Sequence, residues 1–136
     1  ALHEGLRSGY RKVVMIGCDT PTLPATFLVD AFVALNTHLS VIGPSTDGGY
    51  YLLGATEVNV NLFTDIAWGT DQVFQKTVRQ LEADQWSYHL LPPWYDIDLP
   101  HDMIFLKDQL RQMKKEGADV PIQTDRFLQT INLRNN

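Results

Sequence analysis

Short apolar runs alternate along this chain with segments whose apolar residues recur at helical spacing. The run from Lys12 to Cys18 is rich in β-branched residues and predicts a buried strand. Two later runs, Leu39–Gly43 and Tyr50–Gly54, predict strands on the two sides of an Asp-Gly-Gly turn. Because predicted strands alternate with predicted helices, the pattern favours an α/β fold with a mostly parallel sheet.

The remaining elements follow from the same pattern. Apolar residues at helical spacing predict helices over Pro24–Leu35, Thr70 or Asp71 to Asp84, and Pro100–Glu116. A weaker pattern predicts a last helix over Asp125–Leu133. The alternating segment Trp86–Leu91 predicts a further strand, and Tyr95–Asp98 predicts a short extended segment. Asn59–Ile66 fits no single template, and a short helix is one interpretation.

The composition narrows the class of protein. A chain of 136 residues with 44% apolar content predicts one globular domain. The net charge of -5 argues against a general nucleic-acid binder or a membrane-surface binder, and no apolar run reaches transmembrane length. Cys18 is the only cysteine, which excludes an internal disulfide and a cysteine-based zinc site. We therefore expect a cytoplasmic protein in which Cys18 is a small buried residue.

Two of the predicted strands end in loops that carry a carboxylate, Asp19 and Asp47. In open α/β sheets, ligands bind beyond the carboxyl ends of the strands. Asp19 is of the right type to ligate Mg²⁺ or Mn²⁺, which prefer oxygen ligands, although Asp before Thr-Pro also commonly caps a turn. Asp47 is a candidate general base, or a candidate acceptor of hydrogen bonds from substrate hydroxyl groups. The motif Asp47-Gly48-Gly49 is also typical of a hairpin turn.

Two further motifs carry candidate chemistry. Trp68 precedes a predicted helix start and could stack on a ring, while the simpler interpretation places Trp68 in the core with Thr70 as a helix cap. Asp96 and Asp98 alternate along an extended segment and therefore share one face, which is costly unless a cation compensates their charges. Asp102 falls in the first turn of the next helix, where the helix dipole favours a negative charge.

These motifs, taken in order, resemble a known family. The residues that carry the resemblance are Gly17–Pro24, Gly43–Gly54, Trp68–Thr70 and Asp96–Asp102. They resemble a bacterial family of unknown-function proteins of nucleotide-diphospho-sugar transferase type, which includes glycosyltransferases of arsenosugar biosynthesis. A more distant similarity extends to molybdenum-cofactor guanylyltransferases and 2-phospholactate guanylyltransferases. The resemblance covers about residues 1–116 of one domain, whereas residues 117–136 are unassigned.

The resemblance implies a fold and a set of roles. The implied fold is of GT-A type, a Rossmann-like three-layer sandwich that binds a nucleotide-sugar or nucleotide through Mg²⁺ or Mn²⁺. Asp19 would bind the metal together with Asp98, and Asp96 is the alternative to Asp98 as the second ligand. Asp47 would be the catalytic residue. The residues implied to bind substrate are Gly48, Gly49, Tyr50, Trp68 and Thr70.

The chain also departs from the family pattern. An N-terminal strand with a Gly-rich, Lys-containing nucleotide loop has no counterpart here, which predicts an N-terminally truncated domain. Without that strand, Lys12–Cys18 becomes an exposed sheet edge, and exposed edges pair with other chains, so we expect a homodimer. The predicted function is metal-dependent glycosyl transfer from a nucleotide-diphospho-sugar. The alternatives are a nucleotidyltransferase of related fold and a truncated, non-catalytic relic that folds and self-associates.

Overall fold

The computed structural model describes residues 1–64 and 68–131 of the chain. The elements, in chain order, are α1 (Leu2–Arg7), β1 (Val13–Ile16), α2 (Ala25–Ala34), β2 (Ser40–Pro44), β3 (Tyr50–Ala55), α3 (Val73–Ala83), β4 (Tyr88–Leu90), α4 (Pro100–Lys115) and α5 (Ile122–Thr130). The predicted α/β class is confirmed. Residues 60–64 form turns rather than the short helix considered for that segment. The predicted end at Ile66 lies outside the described residues. Helix α5 spans Ile122–Thr130 and not the predicted Asp125–Leu133, because the chain turns to an extended conformation at Ile131.

The four strands form one mixed sheet in the order β1-β3-β2-β4. Strand β3 is antiparallel to both β1 and β2, and only β2 and β4 pair in parallel. The prediction of a mostly parallel sheet is therefore wrong. The physical reason is that a tight turn folds β3 directly back onto β2, so β3 occupies the position between β2 and β1 although β1, β2 and β4 run in one direction.

The chain divides into two compact units, and unit 1 comprises residues 1–17 and 23–95. The sheet of unit 1 has an apolar cluster on each face because Val41 and Ile42 of β2 point to opposite sides. Val41 packs with Ala31 and Leu35 at α2, whereas Ile42 packs with residues of α1 and α3. Helices thus cover both faces of this sheet. The expectation of a single domain over residues 1–136 stays a prediction.

Strand β1 lies at an edge of the described sheet. Its first three residues are half-buried and Ile16 is 53% exposed. The strand is therefore only half-buried, which corrects the prediction of a buried strand, and its place at the edge of the described sheet agrees with the predicted exposed edge, since β1 hydrogen-bonds only to β3 within the described residues. Self-association through this edge stays a prediction.

Unit 2 comprises residues 18–22 and 96–136, of which those up to 131 are described. Its apolar cluster joins Leu106 and Leu110 of α4 to Leu128 of α5. An ion pair between Lys114 and Asp125 also links the two helices. None of the helices in the described residues is both long enough and apolar enough to cross a lipid bilayer.

Candidate functional site

Three aspartates of unit 2 converge at one point. Asp19, Asp96 and Asp98 each offer a carboxylate oxygen, and these oxygens all lie within 4.8 Å of one another. Asp19 and Asp98 are exposed, whereas Asp96 is half-buried. The structure therefore brings together the three residues that the sequence singled out as candidate metal ligands.

A backbone hydrogen bond holds the two segments that supply these aspartates. The N–H group of Ile97 donates to the carbonyl oxygen of Asp19 at 2.9 Å. The Ile97 side chain packs against the apolar cluster of unit 2. Because Ile97 is fixed at both its backbone and its side chain, the flanking Asp96 and Asp98 are held next to Asp19.

Asp102 fixes the chain just after Asp98. Its Oδ2 accepts hydrogen bonds from the N–H groups of Leu99 at 2.8 Å and Asp98 at 3.1 Å. The bond from Leu99 is the main reason that the pKa of Asp102 lies below the usual value for an aspartate, with further lowering from Asp98 and from nearby His101. The sequence predicted a favourable position for Asp102 in the first turn of the helix, but it did not predict these two hydrogen bonds to the backbone.

The donor set fits a hard divalent cation. Mg²⁺ binds oxygens at about 2.0–2.1 Å, so two oxygens on one octahedral ion lie about 3 Å apart when adjacent and about 4 Å apart when opposite. The three carboxylate oxygens lie within 4.8 Å of one another, which is close to those separations. Three negative charges at this spacing repel one another, and a bound cation would remove that cost.

Cys18 precedes this cluster but does not belong to it. Its side chain is exposed, so the prediction of a small buried residue is wrong. The reason is that β1 ends at Ile16, which leaves Cys18 in the following loop rather than inside the strand. A hard cation prefers carboxylate oxygens to a thiol.

The Asp47 loop of unit 1 is a hydrogen-bonded hairpin turn. Asp47 is exposed, and its Oδ1 accepts from the N–H group of Gly49 at 2.9 Å. Ser45 exchanges backbone hydrogen bonds with Gly48 and Gly49 at 3.1 and 3.0 Å. The turn is also tied to the start of α3, because Phe74 N–H donates to the Gly48 carbonyl at 2.9 Å. The hairpin interpretation of this motif is confirmed, and the role of Asp47 as a base stays a prediction.

Tyr50 and Trp68 meet edge to face. Their ring centroids lie 6.4 Å apart, and Trp68 also contacts Phe63 at 5.8 Å. Trp68 is 57% exposed, so the interpretation that placed it in the core is wrong. Burial raises the pKa of Tyr50 to about 12, and its buried Oη has no hydrogen-bond partner among the described residues.

Thr70 does not cap α3. The helix begins at Val73 with Gln72 at the cap position, which corrects the predicted start at Thr70 or Asp71. The Thr70 hydroxyl instead accepts from the N–H group of Gln72 at 3.4 Å. Chain geometry explains the difference, since Asp71 packs closely against Gly48 in the turn that precedes the helix.

The candidates thus fall into two groups, each within one compact unit. Unit 2 holds the three aspartates, and unit 1 holds the other six residues, namely Asp47, Gly48, Gly49, Tyr50, Trp68 and Thr70. Within unit 1, the structure joins Tyr50 to Trp68 through their rings and the Asp47 turn to the segment that leads into α3.

Comparison with known proteins identifies the family. A sequence model described as "Uncharacterized protein conserved in bacteria (DUF2064)" matches residues 1–70, which include Asp19, the Asp47 turn and Trp68. The chain belongs to this family. No curated protein matches it significantly.

A solved structure is also similar to this member of the DUF2064 family. It is the crystal structure of a "putative nucleotide-diphospho-sugar transferase" from Desulfovibrio desulfuricans G20, with 27% sequence identity and a TM-score of 0.79. The match covers 95% of the present chain and 59% of the other protein. The chain therefore spans less than two thirds of the length of that relative. The similarity supports the coarse family resemblance and the α/β fold.

Proposed function

We propose that this chain carries out metal-dependent glycosyl transfer from a nucleotide-diphospho-sugar. The observation that carries the proposal is the convergence of Asp19, Asp96 and Asp98 within 4.8 Å. A transferase of this type needs to bind a diphosphate, and a divalent cation held by carboxylates is a common means of doing so. The similarity to a protein that bears a nucleotide-diphospho-sugar transferase name supports the same assignment.

Each candidate residue has a role in this proposal. Asp19, Asp96 and Asp98 would hold Mg²⁺ or Mn²⁺, which supplies neutralisation of the charge on the diphosphate leaving group. Ile97 and Asp102 position these ligands through the backbone bonds described above.

The residues of unit 1 would serve the sugar and the acceptor. Asp47 would accept the proton of the acceptor hydroxyl, and the bond from Gly49 N–H to its Oδ1 fixes the orientation of the carboxylate. Trp68 has more than half of its surface free to stack on a ring of the substrate, while Tyr50 supports its position from one edge.

Isothermal titration tests the proposal directly. The untagged chain is titrated with UDP- and GDP-sugars in the presence and absence of Mn²⁺. We expect binding that requires Mn²⁺, that is abolished by Asp19→Asn and that is retained by Asp119→Asn, an exposed aspartate of the same unit. Donor binding that persists without metal, or that Asp19→Asn leaves intact, would overturn the proposal.

Product analysis separates the two transfer chemistries. Glycosyl transfer releases a nucleoside diphosphate from the donor, whereas nucleotidyl transfer from a nucleoside triphosphate releases pyrophosphate. We expect Mn²⁺-dependent release of nucleoside diphosphate from the sugar donor. Release of pyrophosphate alone, with no turnover of sugar donors, would assign the same metal site to the alternative reaction.

A further inference from the structure

A cavity of about 430 Å³ in unit 1 lies outside the candidate site described above. It is lined by the end of α2, by the loop that leads into β2 and by β4 with the residues that follow it. Among the lining side chains are two histidines, His38 and His89, and one carboxylate, Asp30. No role in glycosyl transfer has been assigned to any of these residues.

The fold places the two histidines on the same side of the sheet. His89 of β4 is paired in parallel register with Val41 of β2, so the side chains of His89 and Val41 lie on the same face of the sheet. Val41 packs against Ala31 and Ala34 of α2, and His38 follows α2 in the chain. Their imidazole rings come within 5.5 Å, measured between centroids.

Hydrogen bonding at His38 leaves one ring nitrogen available. Its Nδ1 lies 3.2 Å from the carbonyl oxygen of Ala34 and 3.0 Å from the Thr37 hydroxyl. A carbonyl oxygen only accepts, so the proton is assigned to Nδ1 and the lone pair to Nε2. A backbone carbonyl that orients the remote nitrogen of an imidazole is the arrangement found behind metal-binding histidines.

The spacing of the rings matches a shared metal ion. With a Zn–N distance of about 2.0–2.1 Å, the ion lies about 3.2 Å from the ring centre, and two imidazoles at a tetrahedral angle then have centres about 5 Å apart. The observed separation of 5.5 Å is close to that value.

We propose that His38 and His89 form a second metal site, selective for Zn²⁺ and similar late divalent transition metals. Imidazole nitrogen suits these ions, whereas the aspartate cluster suits Mg²⁺ and Mn²⁺. In the part of the chain that the structure describes, only Asp19, Asp96 and Asp98 converge as a group of three ligands, so the histidine site has two protein ligands. Its remaining coordination positions open to the cavity, where a water or a small anion completes them and Asp30 adds negative charge.

The histidine site is separate from the turn assigned to the acceptor. His38 precedes β2 and Asp47 follows it, and the five residues of that strand extend about 16 Å. Binding at the histidine site therefore does not require the transferase proposal to be correct.

Zn²⁺ titration by calorimetry tests the site, with untagged protein in the Asp19→Asn background so that the aspartate cluster does not contribute. We expect one saturable Zn²⁺ site that His89→Ala weakens more than about tenfold. His101→Ala removes an exposed histidine from α4 and serves as the matched control, with affinity unchanged. His89 is itself exposed, so His89→Ala tests the ligand without a threat to folding.

Imidazole NMR resonances supply an independent measurement. On addition of Zn²⁺, we expect the ring signals of His38 and His89 to shift together while that of His101 does not. The proposal is overturned if the Asp19→Asn protein shows no saturable Zn²⁺ binding, or if its affinity for Zn²⁺ is unchanged when His38→Ala or His89→Ala is added.

Discussion

Gly48 is the position at which the structure makes its sharpest quantitative prediction. The residue has a φ of +92°, and a Cβ added there would lie 2.1 Å from the backbone oxygen of Asp71. The left-handed conformation costs a residue with a Cβ about 1–2 kcal/mol. Relief of the contact also requires the Asp71 backbone to move by about 1 Å, which strains the hydrogen bond from Phe74 N–H to Gly48 and costs about 1–2 kcal/mol more.

Gly9 supplies a matched control for that substitution. It has nearly the same φ, +96°, but an added Cβ would meet no described atom within 4 Å. We therefore expect Gly9→Ala to cost only the conformational strain, about 1 kcal/mol, and Gly48→Ala to cost about 3 kcal/mol.

Urea unfolding followed by circular dichroism measures the free energy of unfolding of both variants. In a thermal scan, we expect the Tm of Gly48→Ala to lie about 8 °C below that of Gly9→Ala. If Gly48→Ala is no less stable than Gly9→Ala, then the close approach of the Asp47 turn to Asp71 is absent and the reasoning fails.

Two further predictions concern stability. Tyr51→Phe should lower the free energy of unfolding by about 1–2 kcal/mol, because the buried Tyr51 Oη donates to the Pro92 carbonyl at 2.8 Å. Tyr50→Phe should be neutral or stabilising by about 1 kcal/mol, because the Tyr50 Oη has no partner among the described residues. Chemical unfolding measures both variants, and a Tyr50→Phe variant less stable than Tyr51→Phe would contradict the prediction. The lowered pKa of Asp102 means that its carboxylate stabilises the fold at neutral pH and that this contribution is lost as pH falls below about 4. Unfolding curves of wild type and Asp102→Asn should therefore converge at acidic pH, and a constant difference down to pH values below about 3 would refute the assignment.

The local elements of the fold were largely predictable from the chain. The apolar runs predicted β2 and β3 to within one residue at every end, and the spacing of apolar residues predicted α2 and α4 equally closely. These predictions succeed because each depends on neighbours within a few residues. The start of α3 was misplaced because the close contact between Asp71 and Gly48, which are distant in sequence, keeps Thr70 and Asp71 outside the helix.

The sequence predicted which residues belong to the candidate metal site, but not the contacts that bring them together. The strand-end position of Asp19 and the alternation of Asp96 and Asp98 marked all three as candidates. That they converge depends on the hydrogen bond between Ile97 and Asp19, which joins segments separated by more than seventy residues. The histidine pair gave no signal in the sequence, since His38 and His89 share no spacing typical of a metal site and meet only through the pairing of β2 with β4.

By itself, the sequence determined the types of element, the turn at Asp47-Gly48-Gly49 and the residue types that can bind a divalent cation, because these depend on local backbone preferences and on side-chain chemistry. Only the tertiary structure decided that β3 lies between β1 and β2 and makes the sheet mixed, that Trp68 and Cys18 are exposed, and that three aspartates and two histidines gather into separate groups. The physical reason is that strand order, exposure and ligand convergence depend on contacts between residues far apart in the chain, and those contacts are set by the packing of the whole chain rather than by any one segment.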